Sequence, residues 1–351
     1  MNETQLTPRE KAIINILAQG NPLSRQEISQ QLISIHPVSK LTLIRDLNHL
    51  IGLGMVTLSG QSRDTQYQLT LSHPLLAPID INTYFATEPD IRLPSPKTFD
   101  IGLLAKLSGL FSPTEKKQLE RQVRSFTRET NKLGPNIMLR ELERFVIELS
   151  WKSSKIEGNT YSLLETETLI KESRQASGKS SWEATMILNH KRVFEMILKE
   201  RASLKTVSLS SLTQLHNTIV AGLNVTSGVR HIAVGVTGTN YRPLDNQWQI
   251  KDALSIAIKA INQAEFPLEK ALLAVVLIAY IQPFVDGNKR TGRMLANALL
   301  IAHDWFPLSY RSIREEEYKE ALILFYEQGN LYHLKRLMVE QFQFAQKTYF
   351  L

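Results

Sequence analysis

The sequence contains no cysteine. That excludes a disulfide framework, thiolate metal ligands and a cysteine nucleophile. Long hydrophobic runs are missing as well: the longest, "ALLAVVLIAYI" (Ala271–Ile281), has 11 residues. It is too short to cross a bilayer and about right for a buried helix, so no membrane contact is expected. The start, "MNETQLTPREKAIINILAQG", puts Glu3, Arg9, Glu10 and Lys11 where a secretory signal needs an apolar core, and a cytoplasmic protein is expected. No repeat recurs at a fixed period. A block of one charge is absent too; the formal +7 is spread along the chain, which suits anionic ligands without naming one. What remains, 43% hydrophobic and 21% charged over 351 residues, is an ordinary globular composition with room for two or three domains.

Residues 1–72 read as a small domain of their own. "LTPREKAIINILAQG" has Thr7 as N-cap, Pro8 at the first helical position and Gly20 as a stop. "SRQEISQQLI" gives a second helix with a Ser24/Glu27 capping box. A third runs from about Ser39 to Leu50, with Leu43, Leu47 and Leu50 on one stripe. "MVTLSG" and "TQYQLTL" alternate as two strands around Gly60–Asp64. Three helices followed by a hairpin resemble a winged helix-turn-helix. That resemblance implies Ser39, Lys40, Thr42 and Arg45 in a DNA major groove and Arg63 on the wing. Six Lys/Arg against five Asp/Glu in residues 1–70 make a weak electrostatic footprint for phosphates. A protein-protein or dimerisation module is the alternative, so DNA contact and a homodimer both stay open.

Residues 73–98, with Pro74, Pro78, Pro89, Pro94 and Pro96, read as an extended linker. Residues 99–351 are mainly helical in pattern. The segments fall at about 102–111, 113–131, 135–156, 182–199, 209–221, 247–262, 267–281, 288–303, 315–328 and 331–347. One interruption, "VRHIAVGVTGTNYRPL" (Val229–Leu244), is β-branched and glycine-rich and predicts a β-hairpin.

The chemistry concentrates in "QPFVDGNKRTGR". A buried helix ends near Pro283–Phe284, and a tight turn feeds a new helix at about Asn288. Backbone N–H groups at such a turn form an anion nest, and the helix dipole adds positive charge. Gly287 lets the backbone approach a ligand, while Lys289, Arg290 and, three residues on, Arg293 add cations. Asp286 among them is placed as a carboxylate that holds Mg²⁺ between phosphates. An Asp-Gly turn capping a basic surface helix is the plainer alternative.

This segment closely resembles the Fic (Fido) signature His-x-Phe-x-Asp/Glu-Gly-Asn-x-Arg-x-x-Arg. Phe284, Asp286, Gly287, Asn288, Arg290 and Arg293 match, and Gln282 stands at the histidine position. The resemblance implies a mainly α, Fic-type helical bundle with a β-hairpin flap, most of whose members transfer AMP from Mg·ATP to a protein hydroxyl while relatives transfer phosphate or other phospho-groups. It implies a catalytic set of Gln282, Asp286, Asn288 and Arg290, with Asp286 on the metal. Nucleotide binding would fall to Val234, Gly235 and Val236 of the flap, to Asp286, Gly287, Asn288, Lys289, Arg290, Thr291, Gly292 and Arg293, and to Tyr318 as an adenine-stacking aromatic. The flap would clamp an unidentified target protein as an added strand.

"SWKSSKIEGNTYS" resembles the family's Ser/Thr-x-x-x-Glu-Gly/Asn inhibitory motif at Ser153, Glu157 and Gly158. The resemblance implies that Glu157, ending an inhibitory helix at about 135–157, pairs with Arg293 and displaces the γ-phosphate. Independently, a glutamate at a helix C-terminus opposes the dipole and gains from an external cation. Gln282 cannot deprotonate a hydroxyl, because an amide does not titrate near neutral pH. His231, His216 and His303 are candidate surrogates. Two functions follow: an autoinhibited nucleotidyltransferase of weak or altered activity, or a catalytically inactive ATP-sensing regulator bound to DNA.

Overall fold

The computed structural model describes residues 7–17, 22–33, 35–52, 55–60, 64–70, 73–92 and 98–349. The chain divides into two compact units, Met1–Glu88 and Pro89–Leu351, with the boundary inside the proline-rich segment.

The first unit runs α1 (Pro8–Leu17), β1 (Leu23–Ser24), α2 (Arg25–Ile33), α3 (Lys40–Gly52), β2 (Val56–Ser59), β3 (Gln66–Leu69) and α4 (Ile81–Phe85). Its antiparallel sheet has the order β1-β3-β2, with Val56 opposite Leu69 and Leu23 opposite Tyr67. The expected Thr7 N-cap and Ser24/Glu27 capping box are both present: Glu10 N–H donates to Thr7 Oγ1 at 3.2 Å and Glu27 N–H to Ser24 Oγ at 3.3 Å. Leu43, Leu47 and Leu50 are buried in the core against Ile13 and Ile28, so the three-helix and two-strand pattern holds. The short β1 was not expected. Gly20, the turn residues 61–63 with Arg63, and Pro94 and Pro96 lie outside the described residues. The connector is less extended than expected: a 3-10 turn buries Leu75 and Leu76, and Asp80 caps α4 by accepting from Asn82 N–H and Thr83 N–H.

The second unit is helical. It comprises α5 (Ile101–Leu104), α6 (Pro113–Thr130), α7 (Pro135–Ile156), α8 (Leu163–Glu172), α9 (Ser181–Lys199), α10 (Leu209–Ile219), α11 (Gln247–Gln263), α12 (Pro267–Ile281), α13 (Asn288–Ala302), α14 (Glu315–Gln328) and α15 (Tyr332–Thr348). The predicted 102–111 helix is cut to one turn. An unpredicted α8 appears, opened by a Ser162/Glu165 capping box. The central helix is α12, buried from Leu268 to Ile281, and α13 packs along it. A Cβ on Gly292 would lie 3.2 Å from the Ala274 carbonyl, so that glycine sets how closely the two helices meet. Helix α7 is tied down by Glu148, which accepts from Arg311 Nη1 at 2.9 Å and from the Tyr349 hydroxyl, and by Lys152, paired with Glu315.

The predicted hairpin at Val229–Leu244 is not formed: no strand occurs there, only an isolated bridge between Thr98 and Arg242. Buried Arg230 explains why. Its Nε donates to the Gln282 carbonyl and its Nη1 to the Ile232 carbonyl, both at 2.6 Å, and its Nη2 donates to Leu244 O. Two carbonyls of the segment, those of Ile232 and Leu244, thus bind one side chain in place of a ladder partner. Among the described residues no helix is long and apolar enough to cross a membrane.

Candidate functional site

The site is built where α12 stops. Gln282 caps it in the left-handed region (φ 49°), its N–H donating to Ile278 O, and the chain turns through Pro283–Asp286 into α13. Asn288 staples the turn: its Oδ1 accepts from Phe284 N–H at 2.9 Å and its Nδ2 donates to Phe284 O at 2.8 Å. Gly287 sits at φ +80°, and a Cβ there would come within 2.8 Å of Val220 Cγ1. Only glycine meets both demands.

A cavity of about 140 Å³ opens over this turn. Residues 234–237 border it on one side, and Gln282 and residues 285–290 on the other, with Glu157 completing the wall. Asp286 is exposed; its Oδ1 accepts from Gly287 N–H at 2.6 Å and its Oδ2 from Arg290 Nη2 at 2.9 Å. The other guanidinium edge of buried Arg290, Nη1, has no hydrogen-bond partner. A buried, unsatisfied cationic donor beside a cavity and a helix N-terminus is a place for an anion.

Glu157 caps the end of α7, and Gly158 follows at φ +94°. The Glu157 carboxylate makes an ion pair with fully buried Arg293, Oε1 to Nη1 at 2.8 Å. Burial pushes the Glu157 pKa up, but Arg293, Lys289 and Arg290 together hold it below the usual carboxylate value. Ser153, one turn back on α7, takes the rest of Arg293: Nε donates to its hydroxyl at 2.9 Å and Nη2 to its carbonyl at 2.8 Å.

Of the residues expected to hold a nucleotide, Val234, Gly235, Val236 and Asp286 to Arg290 border the cavity. Thr291, Gly292, Arg293 and Tyr318 do not. Thr291 is fully buried, Gly292 faces α12, and Arg293 stands behind Glu157. Tyr318 is buried with its ring over the Arg293 guanidinium, 5.4 Å away, so no face is free to stack on adenine here. Thr237 and Val285 border the cavity without having been singled out.

Gln282 is tied inward. Its Nε2 donates to Ala279 O at 2.6 Å and its Oε1 accepts from Asn288 Nδ2 at 2.9 Å. The candidate surrogate bases are not better placed. His216 stacks on Phe284, centroids 3.7 Å apart, and its Nε2 donates to the Asp286 carbonyl at 3.0 Å. Burial lowers its pKa. His303 engages Leu299 O at the end of α13, and exposed His231 does not border the cavity. His216 therefore positions the turn by gripping Asp286.

A single metal-binding carboxylate is what Asp286 offers, since each oxygen keeps a lone pair. Among the described residues no group of three or more His, Asp or Glu gathers into an all-protein cage. That arrangement fits a cation bound through one carboxylate and the phosphates of a substrate.

Residues 206–300 match the Fic/DOC family model. Curated relatives include the protein adenylyltransferase Fic of Nematostella vectensis, 24% identical over 53% of this chain and 44% of that protein. Protein adenylyltransferase fic-1 of Caenorhabditis elegans is 24% identical over 63% and 44%. The chain thus spans less than half the length of these relatives. In fold it is similar to solved Fic-1 of C. elegans (residues 134–508), with a TM-score of 0.56 at 15% identity over 96% of this chain and 95% of that one. A Fic domain containing signaling protein from Bacteroides thetaiotaomicron gives 0.54 at 21% over 66% and 95%. The segment that matches the family model carries α12, the turn and most of α13.

Proposed function

We propose that the chain is an autoinhibited Fic-type transferase that moves AMP from ATP to a protein hydroxyl. One observation carries the reading: Glu157 sits at the cavity among Lys289, Arg290 and Arg293, where a polyphosphate oxygen would otherwise lie. With Glu157 there, the cavity of about 140 Å³ is smaller than the roughly 300–1,000 Å³ usual for ligand pockets. Removing the carboxylate leaves the Arg293 charge for a γ-phosphate.

In the open site, Arg290 and the first N–H groups of α13 hold phosphates, and Asp286 holds Mg²⁺. A bound Mg²⁺ would neutralise charge on the phosphates. The backbone of residues 234–237 borders the entry of a target. The target hydroxyl oxygen bonds to the α-phosphorus, the α–β phosphoanhydride bond breaks, and pyrophosphate leaves. The hydroxyl proton passes to water, since Gln282 does not titrate. Positioning and charge stabilisation supply most of the rate in such transfers, so activity survives at a reduced level.

Incubation with α-labelled and γ-labelled ATP tests this. Label should reach protein from the α-position only, rise in Glu157→Gly and vanish when Asp286→Ala is added. Bound ATP with no transfer in any variant would favour the second reading, an ATP sensor. The inward-tied amide of Gln282 favours that reading, and in it the first unit acts as a winged helix on DNA.

A further inference from the structure

The far side of Arg293 leads away from the cavity to His190 on α9, which is fully buried. The His190 Nδ1 lies 2.8 Å from the Met186 carbonyl, with the Ser154 hydroxyl as a longer contact at 3.3 Å. Its Nε2 lies 2.8 Å from the Ser153 hydroxyl. A carbonyl can only accept, so the ring proton sits on Nδ1 and Nε2 is an acceptor. Burial lowers the His190 pKa to about 3, and the Arg290 and Arg293 charges act in the same direction, so the ring stays neutral. Ser153 therefore gives its one hydroxyl proton to His190 and turns its lone pairs to Arg293 Nε, 2.9 Å away. With Nη2 on the Ser153 carbonyl, Nη1 is the edge left to meet Glu157.

Building on the ATP-binding reading above, we propose that His190 is a positioning residue for Arg293. By accepting the Ser153 proton it turns the guanidinium so that Nη1 faces the place held by Glu157 in the closed site and by a phosphate oxygen in the open one. Without that acceptor, a serine inside a helix donates to the carbonyl four residues back, here Leu149, and its lone pairs leave Arg293. The motif's first residue thus depends on a partner 37 positions away in another helix.

The test is titration calorimetry with Mg·ATP in the Glu157→Gly background. Ser153→Ala and His190→Leu should each weaken binding about fivefold to tenfold, the scale of one misdirected hydrogen bond to a charged group. The double variant should bind no worse than either, because the two residues act as one chain. His190→Gln, whose side-chain carbonyl can accept from Ser153, should recover most of the loss at an unchanged melting temperature. Additive losses, or full affinity in His190→Leu, would overturn the proposal. Side-chain ¹⁵N spectra of the nucleotide-free protein judge it without ATP. They should show a neutral Nδ1–H ring whose Nε2 resonance moves in Ser153→Ala; an Nε2–H ring, or an unmoved resonance, would sink it. If Glu157→Gly fails to bind Mg·ATP, the functional reading falls and the spectra still decide His190.

Discussion

In the proposed transferase Gln282 stands where a base would reach an incoming hydroxyl, yet its amide points back into the turn. Gln282→His in a Glu157→Gly background should therefore raise α-label incorporation by about 10²–10⁴-fold, the usual contribution of a general base. No gain over Glu157→Gly alone would mean that the chemistry needs no base at this position. Glu157 carries a pH signature of its own. Its folded pKa lies below the unfolded value of 4.5, so its pairing with Arg293 stabilises fully above that value. The contribution is lost as pH falls through the lower, folded value. Glu157→Gln should cost about 1–3 kcal/mol near neutrality, and the gap in melting temperature from wild type should close in acid below that window. A gap that persists there would mean the pair does not hold Glu157 ionised. The Glu157–Arg293 pair was legible in the sequence because each partner belongs to a short local spacing, Ser-x-x-x-Glu-Gly and Arg-x-x-Arg. His190 was not, since nothing local announces a partner in another helix.

At the scale of elements, the turn between α12 and α13 is the demanding one. Gly287→Ala would force a Cβ into the left-handed region and against Val220 Cγ1 at 2.8 Å. A cost of about 1–3 kcal/mol is expected from the backbone alone, read by chemical denaturation. Adding Val220→Ala should relieve the contact but not the backbone strain, so the double variant should recover only part. Full recovery would show that the clash alone matters. Helix ends were well read where caps and prolines mark them, as at Pro135 and Pro267. Helix α8 was overlooked although its Ser162-x-x-Glu165 box was in view, because Thr166 and Thr168 break the apolar periodicity. The Val229–Leu244 segment misled for a different reason: β-branched residues report extended backbone, and two of its carbonyls, those of Ile232 and Leu244, go to Arg230 instead of a paired strand.

For the molecule as a whole, every residue bordering the cavity lies within Pro89–Leu351. The chain shortened to residues 89–351 should thus bind Mg·ATP as tightly as the full chain by calorimetry, and a marked loss would mean that the first unit contributes to the site. Helix α7 has a further consequence, one of time. A single turn of it supplies both Glu157, the block in the proposed function, and Ser153, the anchor for Arg293, while Glu148 and Lys152 tether the helix elsewhere. Opening by helix displacement would discard the anchor with the block and belong to the microsecond-to-millisecond range, whereas a side-chain swing of Glu157 takes picoseconds to nanoseconds. The tethers favour the swing. In stopped-flow mixing with a fluorescent ATP analogue, the observed rate should climb linearly with nucleotide concentration; a plateau would reveal a slow helix movement ahead of binding. A gate of this kind would set how much nucleotide is bound without delaying its arrival.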